Sequence, residues 1–178
     1  MKREIEAKVK VNNLKAMAVK MWQVGALYLH TVGEQDIYFD DAHKTLLKSK
    51  CGLRLRKREK LKGKEEFFLT FKGPTGRSLF KSREELQVQV DDFDMMKNIL
   101  RGLGYKGVLI VRKIRQIWKL GQCEICLDKV RGLGTFIEIE GPNEKIIAKV
   151  LEKLGLDKTK HIPSGYARML AKKRHVSN

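Results

Sequence analysis

Glu4-Ile5-Glu6-Ala7-Lys8-Val9-Lys10-Val11 alternates charged and aliphatic side chains without a break. Successive side chains on a strand point to opposite faces, so the stretch predicts a strand with two unlike sides. Glu4, Glu6 and Lys8 share one side; Ile5, Ala7, Val9 and Val11 share the other. Seven more strand-like runs follow, at 34–39, 52–59, 65–71, 83–90, 108–120, 122–128 and 135–140. That makes eight strands.

Helical periodicity fills the gaps. Leu14, Met17 and Met21 share a face after Asn12-Asn13, which predicts a capped helix. Phe93, Met96, Leu100 and Leu103 share another, after Asp91-Asp92 and before Gly102 and Gly104. A third helix starts after Pro142, buries Ile146, Ile147, Val150, Leu151 and Leu154, and stops at Gly155. Ser164 is the expected cap of a last helix carrying Tyr166, Met169 and Leu170. Strand, helix and strand group recur from Glu4 and again from Arg83, a weak repeat with no Pro/Ser-rich linker between its halves. The reading is α+β: one closed eight-stranded antiparallel barrel with helices packed outside. A single domain is expected over 1–173, with 174–178 as a frayed tail.

Composition bounds the partners. Lys and Arg number 38 and Asp and Glu 21 in 178 residues, a formal charge of +17. Such an excess marks either a polyanionic partner or a lysine-rich solvated surface. Cys51, Cys123 and Cys126 are too few for a disulfide framework. No apolar run approaches the ~20 residues of a membrane span, and the chain opens directly on charged alternation. A cytoplasmic protein, monomeric or homodimeric, is expected.

The charged faces carry the functional argument. Charge-out alternation is what any half-exposed antiparallel sheet shows. Here the helices supply apolar faces that need the aliphatic side of these strands, so closure turns the charged side inward. The charges also separate by strand. Acids stand on the first and last strands, and bases on the middle ones, as in Leu53-Arg54-Leu55-Arg56-Lys57-Arg58 and Leu69-Thr70-Phe71-Lys72. Arginine forks and lysine point charges match polyphosphate. Carboxylates at i and i+2 suit a hard divalent cation such as Mg²⁺ or Mn²⁺.

In order along the chain, these residues resemble the CYTH superfamily, the triphosphate tunnel metalloenzymes. That superfamily includes class IV adenylyl cyclases, thiamine triphosphatases and inorganic triphosphatases. Glu4, Glu6 and Lys8 match its Glu-x-Glu-x-Lys signature. Gln35-Asp36-Ile37-Tyr38-Phe39-Asp40 resembles the second strand of its cyclase-like members. Arg54/Arg56, Thr70-Phe71-Lys72-Gly73, Arg83-x-Glu85, Lys113/Arg115, and the 126–140 hairpin fit the strands that follow. The resemblance spans about residues 1 to 170. It implies that Lys8, Arg54, Arg56, Lys72, Arg83, Lys113 and Arg115 hold the triphosphate. It also implies that Glu4, Glu6, Asp128, Glu138 and Glu140 hold one or two metal ions. Lys8 is the candidate proton acceptor or water positioner. The implied reaction is ATP to cyclic AMP and pyrophosphate; hydrolysis of thiamine triphosphate, tripolyphosphate or a nucleoside triphosphate is the alternative. Gly165 between Ser164 and Tyr166 departs from the family's Ser-Tyr pair. Arg112 and Lys113 have opposite parity, and Arg58 fits the basic face without an assigned role.

Two motifs are decoys. Gly102-Leu103-Gly104-Tyr105-Lys106-Gly107 follows a helix and enters a strand, the reverse of the dinucleotide context. Cys123 and Cys126 stand i, i+3 on a strand and face opposite ways, which argues against a shared metal or disulfide. The four histidines show no zinc spacing, and Trp22 and Trp118 read as packing residues. A non-catalytic barrel that binds RNA or polyphosphate is the remaining rival. The acidic set, which would repel nucleic acid, argues against it.

Overall fold

A computed structural model describes residues 3–60, 63–76 and 79–176. The alternating runs become β1 (Arg3–Lys10), β2 (Leu27–Asp40), β3 (Gly52–Lys60), β4 (Glu66–Lys72), β5 (Lys81–Val90), β6 (Lys106–Leu120), β7 (Cys123–Val130) and β8 (Gly134–Glu140). All pair antiparallel and close into one barrel of order β1-β5-β4-β3-β2-β6-β7-β8. Exchanging each strand of the first half for its counterpart in the second returns the same cycle. The two halves therefore swap their first strands: β1 pairs with β8, and β5 with β4.

The helices are α1 (Leu14–Gln23), α2 (Thr45–Lys48), α3 (Phe93–Gly102), α4 (Glu144–Lys153) and α5 (Tyr166–Val176), with a 3-10 turn at Lys158–Lys160. Asn13, Asp92 and Asn143 each accept a hydrogen bond from a backbone N–H three residues on. Such caps contribute about 1 kcal/mol apiece. Gly104 (φ 89°) and Gly155 (φ 65°) end α3 and α4 in the left-handed region, where a side chain would be strained. The glycine-rich decoy is thus a helix stop.

Three local features depart from the sequence reading. β2 begins seven residues earlier than its expected start at 34, because a bulge between Tyr28 and His30 breaks the alternation that would have marked it. α2 was not expected; it forms because Asp40 accepts from Leu46 N and Leu47 N and Asp41 from Thr45 N. Gly165, whose carbonyl accepts from Met169 N, takes the cap position of α5 in place of Ser164. α5 runs to Val176, and the last two residues of the 174–178 tail lie outside the described residues.

The main core lies outside the barrel. Ala7, Val9, Ile125, Leu127, Ile137 and Ile139 meet Met17 and Met21 of α1 and Ile147, Val150 and Leu151 of α4. A second core sets Leu100, Phe93 and Met96 of α3 against Ile37, Phe39 and Leu55. The lumen has apolar layers of its own. Val111, Val130 and Phe136 pack with Tyr166 of α5 towards one end, and Val32, Ile117 and Cys126 form a smaller layer. Cys123 sits in the outer core and Cys126 on the lumen face, the opposite faces that their spacing predicts. Trp118 is buried, with Trp22 edge-on at 5.3 Å. No helix among the described residues is long and apolar enough to cross a membrane.

The outer core leaves no room at the β8–α4 corner. A Cβ on Gly141 would stand 2.9 Å from both Cys123 Sγ and Ile147 Cγ1. Gly141→Ala should therefore destabilise the fold by about 1–3 kcal/mol. Urea unfolding reads this as a lowered midpoint at unchanged slope; an unmoved midpoint would show that the corner relaxes.

Candidate functional site

The barrel encloses a cavity of about 740 Å³. Eleven basic and seven acidic side chains line it; Glu34 and Asp128, buried behind the lining, pair with its basic groups and leave an excess of two positive charges. Its charged groups form three clusters.

The first is a closed ionic network on β2, β3 and β6. The register sets Glu34 opposite Arg58 and Asp36 opposite Arg56. Arg56 donates to Asp36 through Nε (2.6 Å) and Nη2 (2.8 Å) and to Glu34 through Nη1 (2.9 Å). Arg58 Nη2 (2.8 Å) and Lys113 Nζ (2.7 Å) complete the surroundings of Glu34. Burial alone would raise both acids. Lys113 and Arg56 hold Glu34 well below the usual carboxylate range, and Arg56 with Lys113 does the same for Asp36.

The second centres on Lys8, only 1% exposed. Its amine donates to Ser164 O (3.1 Å), pairs with Glu138 Oε1 (3.1 Å), and stands 3.8 Å from Glu6 Oε1 and 4.4 Å from the Tyr166 ring centre. Glu6 also pairs with Lys81, and Glu138 with Arg115. Arg115 forks onto Asp128 through Nε (2.7 Å) and Nη2 (2.6 Å), and Tyr166 Oη donates to the same carboxylate at 2.8 Å.

The third holds Glu4, Lys72, Arg83, Glu85 and Arg54. Lys72 Nζ contacts Glu85 and lies 3.3 Å from Glu4 Oε2. Burial, then Arg54 and Arg83, outweigh those carboxylates and lower the Lys72 amine to about 8. Burial would raise Glu85, but a hydrogen bond with Glu4 and the Lys72 and Arg54 charges pull it down to about 2. Arg54 Nε is buried without a hydrogen-bond partner among the described residues, and Arg83 Nε, also without a hydrogen bond, stands 3.5 Å from Glu4 Oε2. A buried donor left without a hydrogen bond costs about 1–3 kcal/mol.

Comparison with known proteins fits this geometry. The sequence matches the family model of the CYTH domain over residues 2–166. The chain belongs to the CYTH family. Within it, a Methanocaldococcus jannaschii protein named "Putative adenylate cyclase MJ0240" is 34% identical over 155 residues, 85% of each chain. The structure of PH1819 from Pyrococcus horikoshii OT3 superposes with a TM-score of 0.86 at 30% identity, covering 96% of this chain and 99% of that one. The Hippeastrum protein HpAC1 shares the fold, with a TM-score of 0.69 at 18% identity over 97% and 96% of the two chains.

The CYTH barrel brings together most of the residues singled out from sequence. Glu4, Glu6, Lys8, Arg54, Arg56, Lys72, Arg83, Lys113, Arg115, Glu138 and Glu140 all line the cavity. Lys113, not Arg112, turns inward; Arg112 bonds Gln35 outside. Asp128 stands apart from the lining, fully buried behind Arg115 and Tyr166. The expected separation of signs by strand does not hold. Glu34 and Asp36 stand in the middle of the basic wall, because arginines enclosed without counter-charge would be too costly to desolvate. At Lys8, the residue expected to accept a proton or position water, burial lowers the amine but Glu138 and Glu6 raise it further.

Sequence reasoning passed over Glu34, Asp36 and Lys81 as site residues and gave Glu85 no role. Parity was the available signal for the first two, since Glu34, Asp36 and Tyr38 alternate with Gln35, Ile37 and Phe39. Lys81 had none, because it stands at the first position of its strand.

The carboxylates suit the divalent metal that triphosphate tunnel enzymes use. Among the described residues no three acidic, histidine or cysteine side chains converge into a ready cage. Glu6 and Glu138 instead flank Lys8 on adjacent strands. One or two hard oxygen ligands, completed by phosphate oxygens and water, is the ordinary coordination of Mg²⁺.

Proposed function

We propose that this protein hydrolyses a triphosphate inside its barrel, with a divalent metal held by Glu6 and Glu138 and assisted by Glu4 and Glu140. The carrying observation is the enclosed lumen with more basic than acidic side chains and a buried Arg54 Nε that has no hydrogen-bond partner among the described residues. A triphosphate carries up to about four negative charges and accepts from many directions.

In this reading Arg54, through its free Nε–H, and Arg83 grip the phosphates. Lys8, Lys81 and Arg115 add charge along the β1–β8 wall. The bound metal ion would neutralise charge developing on the phosphate oxygens. Lys72, lowered to about 8, takes the proton from a water that attacks the terminal phosphorus. The phosphorus–bridging oxygen bond breaks and the shortened chain leaves as the anion. The enzyme's contribution is positioning and charge, as phosphoryl transfer requires.

Hydrolysis is favoured over cyclisation because, among the described residues, only two aromatic rings line the cavity, Tyr38 and Tyr166. Tyr166 is occupied by Lys8 and Phe136, and Tyr38 packs into the apolar layer at the α5 end. Neither offers a nucleobase a free stacking face. The solved structure of HpAC1 is described as revealing a dominant triphosphatase activity in a protein named as an adenylyl cyclase. Cyclisation of ATP remains the second reading, on the name of the Methanocaldococcus jannaschii relative. A reducing cytoplasmic setting suits the three free cysteines.

Incubation with ATP, thiamine triphosphate and tripolyphosphate, each with Mg²⁺ or Mn²⁺, decides the reaction. Released orthophosphate supports hydrolysis; cyclic AMP with pyrophosphate overturns it in favour of the second reading. Independently, metal plus tripolyphosphate at 100-fold its Kd should raise Tm by about 5–10 °C. An unmoved Tm at saturation would refute binding in the lumen.

A further inference from the structure

The barrel wall has a gap beside Lys8. β1 pairs with β8 as far as Lys10, but with β5 only from Arg3 to Glu6, because β5 begins at Lys81. In this register the next partner of Lys8 on that side would be Leu79, whose N–H is bonded to Glu144 instead. The backbone of Lys8 therefore faces an edge with no strand.

The segment from His161 to Tyr166 fills that edge. Lys8 N–H donates to His161 Nδ1 at 3.0 Å, and Ile162 N–H donates to Lys8 O at 2.8 Å. The Lys8 amine donates to Ser164 O, and the Tyr166 ring lies against it. The segment thus mimics a strand with one side-chain acceptor and one backbone donor. Phe80 meets the His161 ring edge-on, with 5.5 Å between ring centres, and fixes its plane. Glu138 and Ser164 take two of the amine's three protons, while Glu6 stands off at 3.8 Å. Lys8 itself lines the cavity.

We propose that His161 is a positioning residue for the triphosphate site, acting through Lys8. By replacing the missing strand partner, its Nδ1 fixes the backbone from which Lys8 reaches into the lumen. The inference rests on the reading that the lumen binds triphosphate, and it extends that site to a segment more than 150 residues from β1 in sequence. Nδ1 must accept, so the ring's proton sits on Nε2. The structure assigns that tautomer because, among the described residues, no other acceptor serves Lys8 N–H.

The test compares His161→Ala with His161→Asn, whose Oδ1 can stand where Nδ1 stands. Tripolyphosphate hydrolysis with Mg²⁺ gives KM and kcat, and amide exchange followed by ¹⁵N NMR reads the Lys8 N–H directly. His161→Ala should raise KM about tenfold, the scale of one well-placed hydrogen bond, with kcat within about twofold. It should also release Lys8 N–H to exchange. His161→Asn should restore both. If His161→Ala frees the amide but leaves KM unchanged, the contact only closes the wall and the proposal is overturned. If Asn is as impaired as Ala, ring packing on Phe80 is what matters, which also overturns it. A wild type that neither binds nor turns over tripolyphosphate would instead refute the hydrolytic reading itself. The exchange experiment would still show whether His161 holds Lys8.

Discussion

Lys72→Met lowers triphosphate turnover by about 10²–10⁴-fold, the range a general base supplies. Only the neutral amine can accept the proton of the attacking water. With Lys72 lowered to about 8, the wild-type rate climbs with pH until the amine is mostly neutral and then levels off. The methionine variant keeps the length of the side chain and loses that limb. Lys8→Met also weakens the enzyme, through binding, but leaves the limb in place because Glu138 and Glu6 keep the Lys8 amine charged. The measurement is log kcat/KM against pH for all three proteins, the quantity that reports the groups of the free enzyme. A limb that survives in Lys72→Met removes Lys72 from the chemistry.

Arg56→Met has its large effect elsewhere. Arg56 lines the cavity, yet its guanidinium is committed to Asp36 and Glu34. Both acids are fully enclosed, so removing Arg56 strips a buried pair of carboxylates of its main partner. The expected loss is about 3–5 kcal/mol, read as a shifted denaturant midpoint. The contrast is Arg54→Met, which removes a partly unpaired donor and should raise KM with a much smaller change in stability.

Acid makes the same distinction. Glu34 and Asp36 have folded values below their ordinary 4.5 and 3.8. Their stabilisation is complete above those ordinary values and fades as pH falls towards the lowered ones. In Arg56→Met the two acids titrate higher, and acid unfolding starts at a higher pH. An Arg56→Met protein as stable as the parent would show that Lys113 and Arg58 suffice.

The strands and the site were legible to different degrees. Alternation alone located every strand, because the outer face must be aliphatic to receive α1, α3 and α4 while the inner face stays charged. Asn13, Asp92 and Asn143 were readable as caps from position. Parity sent Glu4, Glu6, Lys8, Arg54, Arg56 and Lys72 to one side together. What parity lacks is register: whether Arg112 or Lys113 faces the lumen follows from which residue of β7 lies opposite, and that is fixed only on closure. Parity is also silent on pairing. Glu34 and Asp36 became visible as the counter-charge of Arg56 only when β2 lay beside β3. The proposal of Lys72 rather than Lys8 as proton acceptor has the same root, since each amine's affinity for its proton depends on neighbours from other strands.

The swap of first strands has a consequence for how the chain reaches this state. β1 is made first but is flanked by β5 and β8, so it waits for the middle of the chain on one side and for residues 136–140 on the other. Two meanders, β2-β3-β4-β5 and β6-β7-β8, can zip locally, whereas the ring is sealed only by contacts between remote parts of the sequence. Such contacts carry a high loop-closure cost and make the last step slow. Until then, Glu6 and Lys8 remain in water with the rest of the charges, and a nascent chain lacking its last strand has no lumen at all.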